Sequence, residues 1–456
     1  MRKFFTFRVY LISLVSFLGL MGFGAIVQYH YDDGKKFQFL QKPVILISSV
    51  PKTIAKIIKE KSIYGDVISP INEKVYKNLE VFYYELTSHS FPENLILISR
   101  HDGDLGRSIV EIRDLKTFEV IHSYLPDIKE IYNKIDFSKD EFKYLKRDNG
   151  LNRFFMWHPS ITDEGELIFQ SRSPLVKIDF DSNVIWVNDE DVYHHSTNLD
   201  DKGNIYVPSY HRPYSKIVSN YVGLNDTTDK YNFSDDAINI IDDNGKTIFS
   251  KSVSEILIEH GYSNRIFSQQ SYKNDPIHLN DIQPVLKETK YFKKGDLFLS
   301  LRNLSMVILY RPSTNKIIKI IEGNFYHQHD VDIIDESRIS IYNNNVFLNY
   351  KNKKKVDNNE IVIYDFATNS FSKKFEKTFK DYKINTKTHG LVDFLDDGSA
   401  IIEDRNNGRI YYLNSQGKVV WIFINLNSKK QIYDLWWARV INLKKSKKIL
   451  KLIDND

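Results

Sequence analysis

The chain has 456 residues, 42% of them apolar and 27% charged, a balance that excludes a disordered polypeptide and supports a large buried core. Its net charge of +4 is spread along the sequence, which argues against a nucleic-acid surface. With no cysteine, disulfides and cysteine-based zinc or iron–sulfur sites are excluded.

Residues 1–8 read as a basic cytoplasmic tail carrying Arg2, Lys3 and Arg8, followed by an apolar stretch over 9–29. As a helix, a run of that length just crosses a bilayer core of roughly 30 Å. The positive flank predicts a single-pass signal anchor in the inner membrane, with the body of the chain in the periplasm. A cleaved signal peptide is the alternative. Residues 30–85 read as a linker with a short helix, because Ile54, Ile57 and Ile58 follow Pro51 at helical spacing. The alternative for this stretch is a lid packed on the main domain.

Over 86–445 two kinds of segment alternate six times. One is an apolar strand that follows an acidic or glycine turn, as in PENLILISR, DEGELIFQSR, DDKGNIYVPS, KKGDLFLSLR, DESRISIYNN and DDGSAIIEDR. The other is a hairpin, as in LVKIDFDSNVIWVN and INIIDDNGKTIFSK, with Asp, Asn, Gly and Ser in its turns. This periodicity predicts an all-β chain: a six-bladed β-propeller preceded by an N-terminal transmembrane helix and a short linker. A solenoid is the alternative. The acidic-turn strand reads as the first and innermost of each blade. LWWARVINL reads as a segment that packs on the channel or closes the ring, and 446–456 as a basic C-terminal tail.

A histidine precedes this strand in five copies: His158, His195 (with His194 before it), His278, His329 and His389. Repetition should gather these rings at one mouth of the central channel. Taken singly, each has a structural reading as a tie between blades. A metal centre is one chemical reading of the cluster. Against it, no HExxH pair occurs, and His327 and His329 of HQH would lie on one face of a strand without further local support; no metal or cofactor is expected. Anion chemistry is the other reading. Arg302 beside imidazoles can grip a tetrahedral oxyanion, and a neutral histidine can act as nucleophile.

At these residues the chain resembles the bacterial arylsulfate sulfotransferases that work without PAPS. DPIHLND, with His278 and Asn280, resembles that family's D-x-x-H-x-N segment, and LFLSLRN carries its S-x-R. YHQHDVDII resembles its Q-H-[DT] segment, and HHSTNLDDKGNIYV its paired-histidine element. The resemblance covers roughly residues 150–440. It implies a periplasmic aryl-sulfate sulfotransferase that moves a sulfuryl group from a phenolic sulfate ester to a phenolic acceptor by a ping-pong route through a sulfohistidine. The family pattern makes His329 the nucleophile, His278 and Arg302 the sulfate-holding groups and His195 an acid/base. Asn280, His194 and His327 become substrate contacts, while His158 and His389 are left as framework. The chain departs from the family pattern in lacking the usual cysteines and in reading YNNN where a DNG occurs. The alternative function is a membrane-anchored, non-catalytic propeller that binds an anionic ligand or serves as an envelope scaffold. A homodimer is left open by either reading.

Overall fold

The computed structural model describes residues 2–31, 80–86, 89–139, 142, 150–151, 153–171, 173–223, 233–268, 274–348 and 354–454. The chain divides into two units, Met1–Ser69 and Pro70–Asp456. In the first, one helix spans Arg2–Tyr31. Among the described residues no helix is long and apolar enough to cross a membrane. The short helix expected near Ile54 lies outside the described residues.

The second unit is a six-bladed β-propeller of antiparallel four-stranded sheets. Blade 1 contains Leu95–Asp102, Arg107–Asp114 and Val120–Tyr124, and its innermost strand is Leu435–Ile441 from the far end of the chain. LWWARVINL therefore closes the ring, which leaves no open seam between first and last blade. The innermost strands of blades 2 to 6 are Trp157–Ile161, Asn198–Leu199, Leu279–Pro284, His329–Ile333 and Leu391–Phe394. Their second strands are Leu167–Gln170, Ile205–Tyr210, Leu297–Leu301, Arg338–Asn343 and Ala400–Asp404.

Two expectations are corrected here. The acidic-turn strand is the second of each blade, and the histidine segment itself supplies the innermost one. That inner strand was hard to read because it is short, down to the two residues Asn198–Leu199, and is built partly of polar residues. Residues 82–84, read as linker, pair with Trp421–Phe423 as a fifth strand on the outer edge of blade 6.

The turns explain the regularity of the repeat. Asp200, Asp242 and Asn414 each accept two backbone N–H groups across their own turn. Gly203, Gly245 and Gly417 take the left-handed conformation that such a turn requires. At Gly245 a side chain is also sterically barred, since a Cβ would lie 2.8 Å from the Trp186 ring. Between the sheets the core is aliphatic and aromatic; Ile168, Leu175, Tyr193, Ile205, Val207 and Ile241 fill the space between blades 2 and 3. Deleting one such side chain costs about 2–5 kcal/mol.

Candidate functional site

The inner strands are tied to one another by aspartates. Asp281 accepts the backbone N–H of Val331 (2.8 Å), Asp330 that of Val392 (3.0 Å) and Asp393 that of Val440 (2.7 Å). Ser196 does the same for Ile282 at 3.3 Å. These residues do the blade-to-blade tying that a structural reading would give the histidines. The carboxyls lie low in the channel around Arg439, which pairs with Asp330 and with Asp332 (2.6 Å). Burial pushes Asp281 and Asp393 up to about 6, against the pull of Arg439.

Above this layer five imidazoles converge. Ring centroids are 6.5 Å apart for His158–His195, 5.4 Å for His158–His389, 4.8 Å for His195–His278, 5.9 Å for His195–His389 and 5.6 Å for His329–His389. Trp437 of the closing strand packs against His158 with ring centroids 4.4 Å apart, so blade 1 contributes an aromatic ring where the other five contribute a histidine. The expectation that the histidine rings gather in space is met by all five, including His158 and His389.

They do not share one register. Asp281 and Asp330 do the same job on adjacent blades, so three residues before each, His278 and His327 are equivalent, and both have positive φ. His329 instead matches Asn280. His195 stands at that same level, because Ser196 takes the place of the tying aspartate. β-Bulges beside Trp157, Leu279 and His329, and left-handed backbone at His158, His195, His278 and His389, re-aim the side chains so that the rings still meet.

His327 precedes the strand rather than lying on it, so HQH does not set two rings on one strand face. Its Nδ1 is on the carbonyl of Val346 at 2.7 Å. His329 is 6% exposed, and its Nδ1 lies 2.6 Å from Asn344 Oδ1. The Asn344 amide is oriented by its Nδ2, which donates to the carbonyls of His389 (2.7 Å) and Thr386 (3.2 Å). Its Oδ1 must then accept, so His329 carries its proton on Nδ1 and leaves the Nε2 lone pair free. Burial first, then the charge of Arg302, holds this ring well below the usual imidazole range, so it is neutral.

His278 donates from Nδ1 to Asp275 Oδ2 at 2.6 Å. Burial would raise Asp275, but the bond to His278 and the charges of His278, His194 and Arg302 bring it below the usual carboxylate range. His194 and His195 share one proton between their Nδ1 atoms at 2.8 Å, and the His194 ring packs on Tyr210 at 4.5 Å. His194 Nε2 is 3.4 Å from Asp236 Oδ1 but is not aligned for a hydrogen bond. Burial pushes His194 down to about 3 and His195 well below its ordinary value, with the charge of His278 next in importance for both. Asn280 donates to the Gln328 carbonyl at 2.8 Å and keeps a buried, unpartnered Oδ1.

Arg302 is 9% exposed, and its described hydrogen bond is from Nη1 to Asn303 Oδ1 at 2.7 Å. Its backbone N–H bonds to the His278 carbonyl, which fixes the two side by side. Among the described residues it has no carboxylate partner at ion-pair distance. It belongs to a second repeated ring: the residue that ends the second strand of each blade. Counted from the turns, this position holds Arg100, Arg172, Tyr210, Arg302, Asn344 and Arg405, with Arg172 outside the described residues. The sequence reading missed Asn344 and Arg405 as site residues. The signal was present, since four of the six acidic-turn strands end in Arg at this position. Among the described residues no group of three or more His, Asp or Glu side chains is placed to hold a metal ion.

A family model described as Arylsulfotransferase (ASST) matches residues 158–425, more than half the chain and all of the histidine segments. No curated protein matches. Among solved structures, a protein of unknown function from Bacteroides caccae is 12% identical over 77% of this chain and 100% of its own, with a TM-score of 0.47. The nidogen/laminin complex is 8% identical over 76% and 98%, with a TM-score of 0.43, and the Neurospora crassa Pan2 WD40 domain 10% identical over 75% and 86%, with a TM-score of 0.39. Likenesses of that size carry no argument about what this chain does.

Proposed function

The chain belongs to the arylsulfotransferase (ASST) family, and from that premise we propose that it moves a sulfuryl group from a phenolic sulfate ester to a phenolic acceptor through a sulfated His329. The observation that carries this reading is the Asn344–His329 bond, which leaves a neutral imidazole with its lone pair on Nε2, in a site whose Arg302 guanidinium has no carboxylate at ion-pair distance among the described residues.

In the first step Nε2 attacks sulfur. The N–S bond forms as the bond from sulfur to the aryl oxygen breaks, and the phenol leaves as phenolate. Arg302 and the Nε2 side of His278 hold the sulfuryl oxygens through the transition state, while negative charge builds on the departing aryl oxygen. In the second step His195, neutral and braced by His194, takes the acceptor's proton as its oxygen attacks sulfur. The N–S bond breaks and its electron pair returns to Nε2. The proton passes to water, from which the departed phenolate recovers one.

The apolar stretch 9–29 behind Arg2, Lys3 and Arg8 is the proposed inner-membrane anchor, holding the propeller in the periplasm. Protease protection in spheroplasts checks that assignment.

Incubation with 4-nitrophenyl sulfate and phenol tests the chemistry. Release of nitrophenol should depend on the acceptor, and His329→Asn should abolish it. A mass increase of one sulfuryl group on the peptide containing His329 should appear when the acceptor is withheld. Acceptor-dependent release that survives in His329→Asn overturns the mechanism.

A further inference from the structure

Three described arginines, Arg100, Arg302 and Arg405, occupy the same position in the repeat, and their surroundings differ. Arg100 is neutralised: it bonds Glu111 through Nε (2.9 Å) and Nη2 (3.0 Å), Asp102 through Nη2 (3.0 Å) and Asn425 through Nη1 (3.2 Å). Arg302 serves the His329 side of the cluster. Arg405 is 8% exposed and donates only from Nε, to the Leu435 carbonyl at 2.9 Å. Its two terminal amino groups have no hydrogen-bond partner among the described residues. Glu403 and Asp434 are close enough to act on it electrostatically, yet neither reaches ion-pair distance. Burial drives both toward the neutral acid, Glu403 up to about 7. A guanidinium does not deprotonate, so this is a buried cation whose protein counter-charge is weak.

The company of Arg405 is distinct from that of Arg302. Among charged groups, Arg405 acts most strongly on His389 and His158, and Arg302 on His329. His389 and His158 each keep a buried Nδ1 without a partner. The cluster therefore has two cationic poles. One is Arg302 with His278 and His329, and the other is Arg405 with His389 and His158. The His329 and His389 ring centroids are 5.6 Å apart, so the two poles adjoin. A sulfate monoester carries a single negative charge, which the Arg302 pole already meets.

We propose that Arg405, His389 and His158 form a second anion subsite that takes a carboxylate borne on the aromatic ring of the substrate, so that the favoured aryl sulfate is a dianion. This rests on the sulfuryl-transfer reading for the position of the ester but not for its turnover.

The test is binding to the full chain carrying His329→Asn, which cannot form the sulfated intermediate. Isothermal titration compares phenyl sulfate with 3-carboxyphenyl and 4-carboxyphenyl sulfate. At least one carboxylated ester should bind about tenfold or more tightly than phenyl sulfate, the size of one charge-assisted contact. Adding Arg405→Met should erase that ratio, and Arg405→Lys should keep part of it. Thermal melts of both variants show whether they are folded, and the lysine variant carries the test if the methionine one is not. Equal affinity for all three esters, or a preference that outlives Arg405→Met, overturns the subsite. If no sulfate ester binds at all, the sulfuryl-transfer reading falls with it; if binding and preference stand but no variant of the assay shows transfer, only that reading falls.

Discussion

Asn344 Oδ1 and His329 Nδ1 are 2.6 Å apart, and the amide is locked by two carbonyls on its other side. This one bond chooses the tautomer. Asn344→Asp, isosteric but ionisable, would favour the imidazolium and raise the ring's pKa, so the acid limb of the kcat/KM profile should move to higher pH. Asn344→Leu removes the acceptor and lets either nitrogen carry the proton. Loss of an orienting partner of this kind costs on the order of 10–100-fold. The fall should appear in formation of sulfated His329 in a single turnover, with ester affinity nearly unchanged.

His278 depends on Asp275 in the same way. Asp275→Asn keeps the shape but replaces the carboxylate that holds Nδ1–H. We expect kcat/KM for 4-nitrophenyl sulfate to drop by about 10²-fold. Unchanged kinetics would remove His278 from the machinery.

His158 links stability to pH. Burial, offset in part by a bond that the ring donates to the His195 backbone, depresses its folded-state value from 6.5 to about 3. The unfolded chain therefore binds the extra proton between those values, and the wild type loses stability as pH falls below 6.5. His158→Gln lacks this term. Relative to wild type it should gain about 1.4 kcal/mol per pH unit on acidification from 6.5 toward 3. Urea unfolding at pH 7 and pH 5 measures the difference, and a constant gap between the two proteins contradicts the assignment.

Asp330 serves two masters, the Val392 N–H and the Arg439 guanidinium. Asp330→Ala orphans both in the channel interior. Removing one partner of a buried pair costs about 3–5 kcal/mol. Chemical denaturation should show that loss, whereas Asp335→Ala, which breaks the half-exposed pair with Arg338, should stay within about 1 kcal/mol.

The propeller was legible because acidic, Asn and Gly turns recur before the same kind of strand and because the second and third strands of the blades are mostly apolar runs. The inner strands were not, since their polar positions hold ties such as Ser196, Asp281 and Asp330, which look like loop residues in a sequence. The histidine cluster was legible from spacing. Its details were not. The spacing from His to turn differs by one residue between His158 and His195 and again at His389, and only bulges and left-handed backbone convert those offsets into convergence. Asn344 could not be singled out from YNNN, because its role comes from carbonyls of His389 and Thr386 on the next blade.

Leu435 contributes a carbonyl to Arg405, and Trp437 two residues on packs against His158. Both lie on the strand that closes blade 1. Closure of the ring and completion of the site are therefore one event: opening that seam would withdraw the carbonyl that holds Arg405 and the indole against which His158 rests.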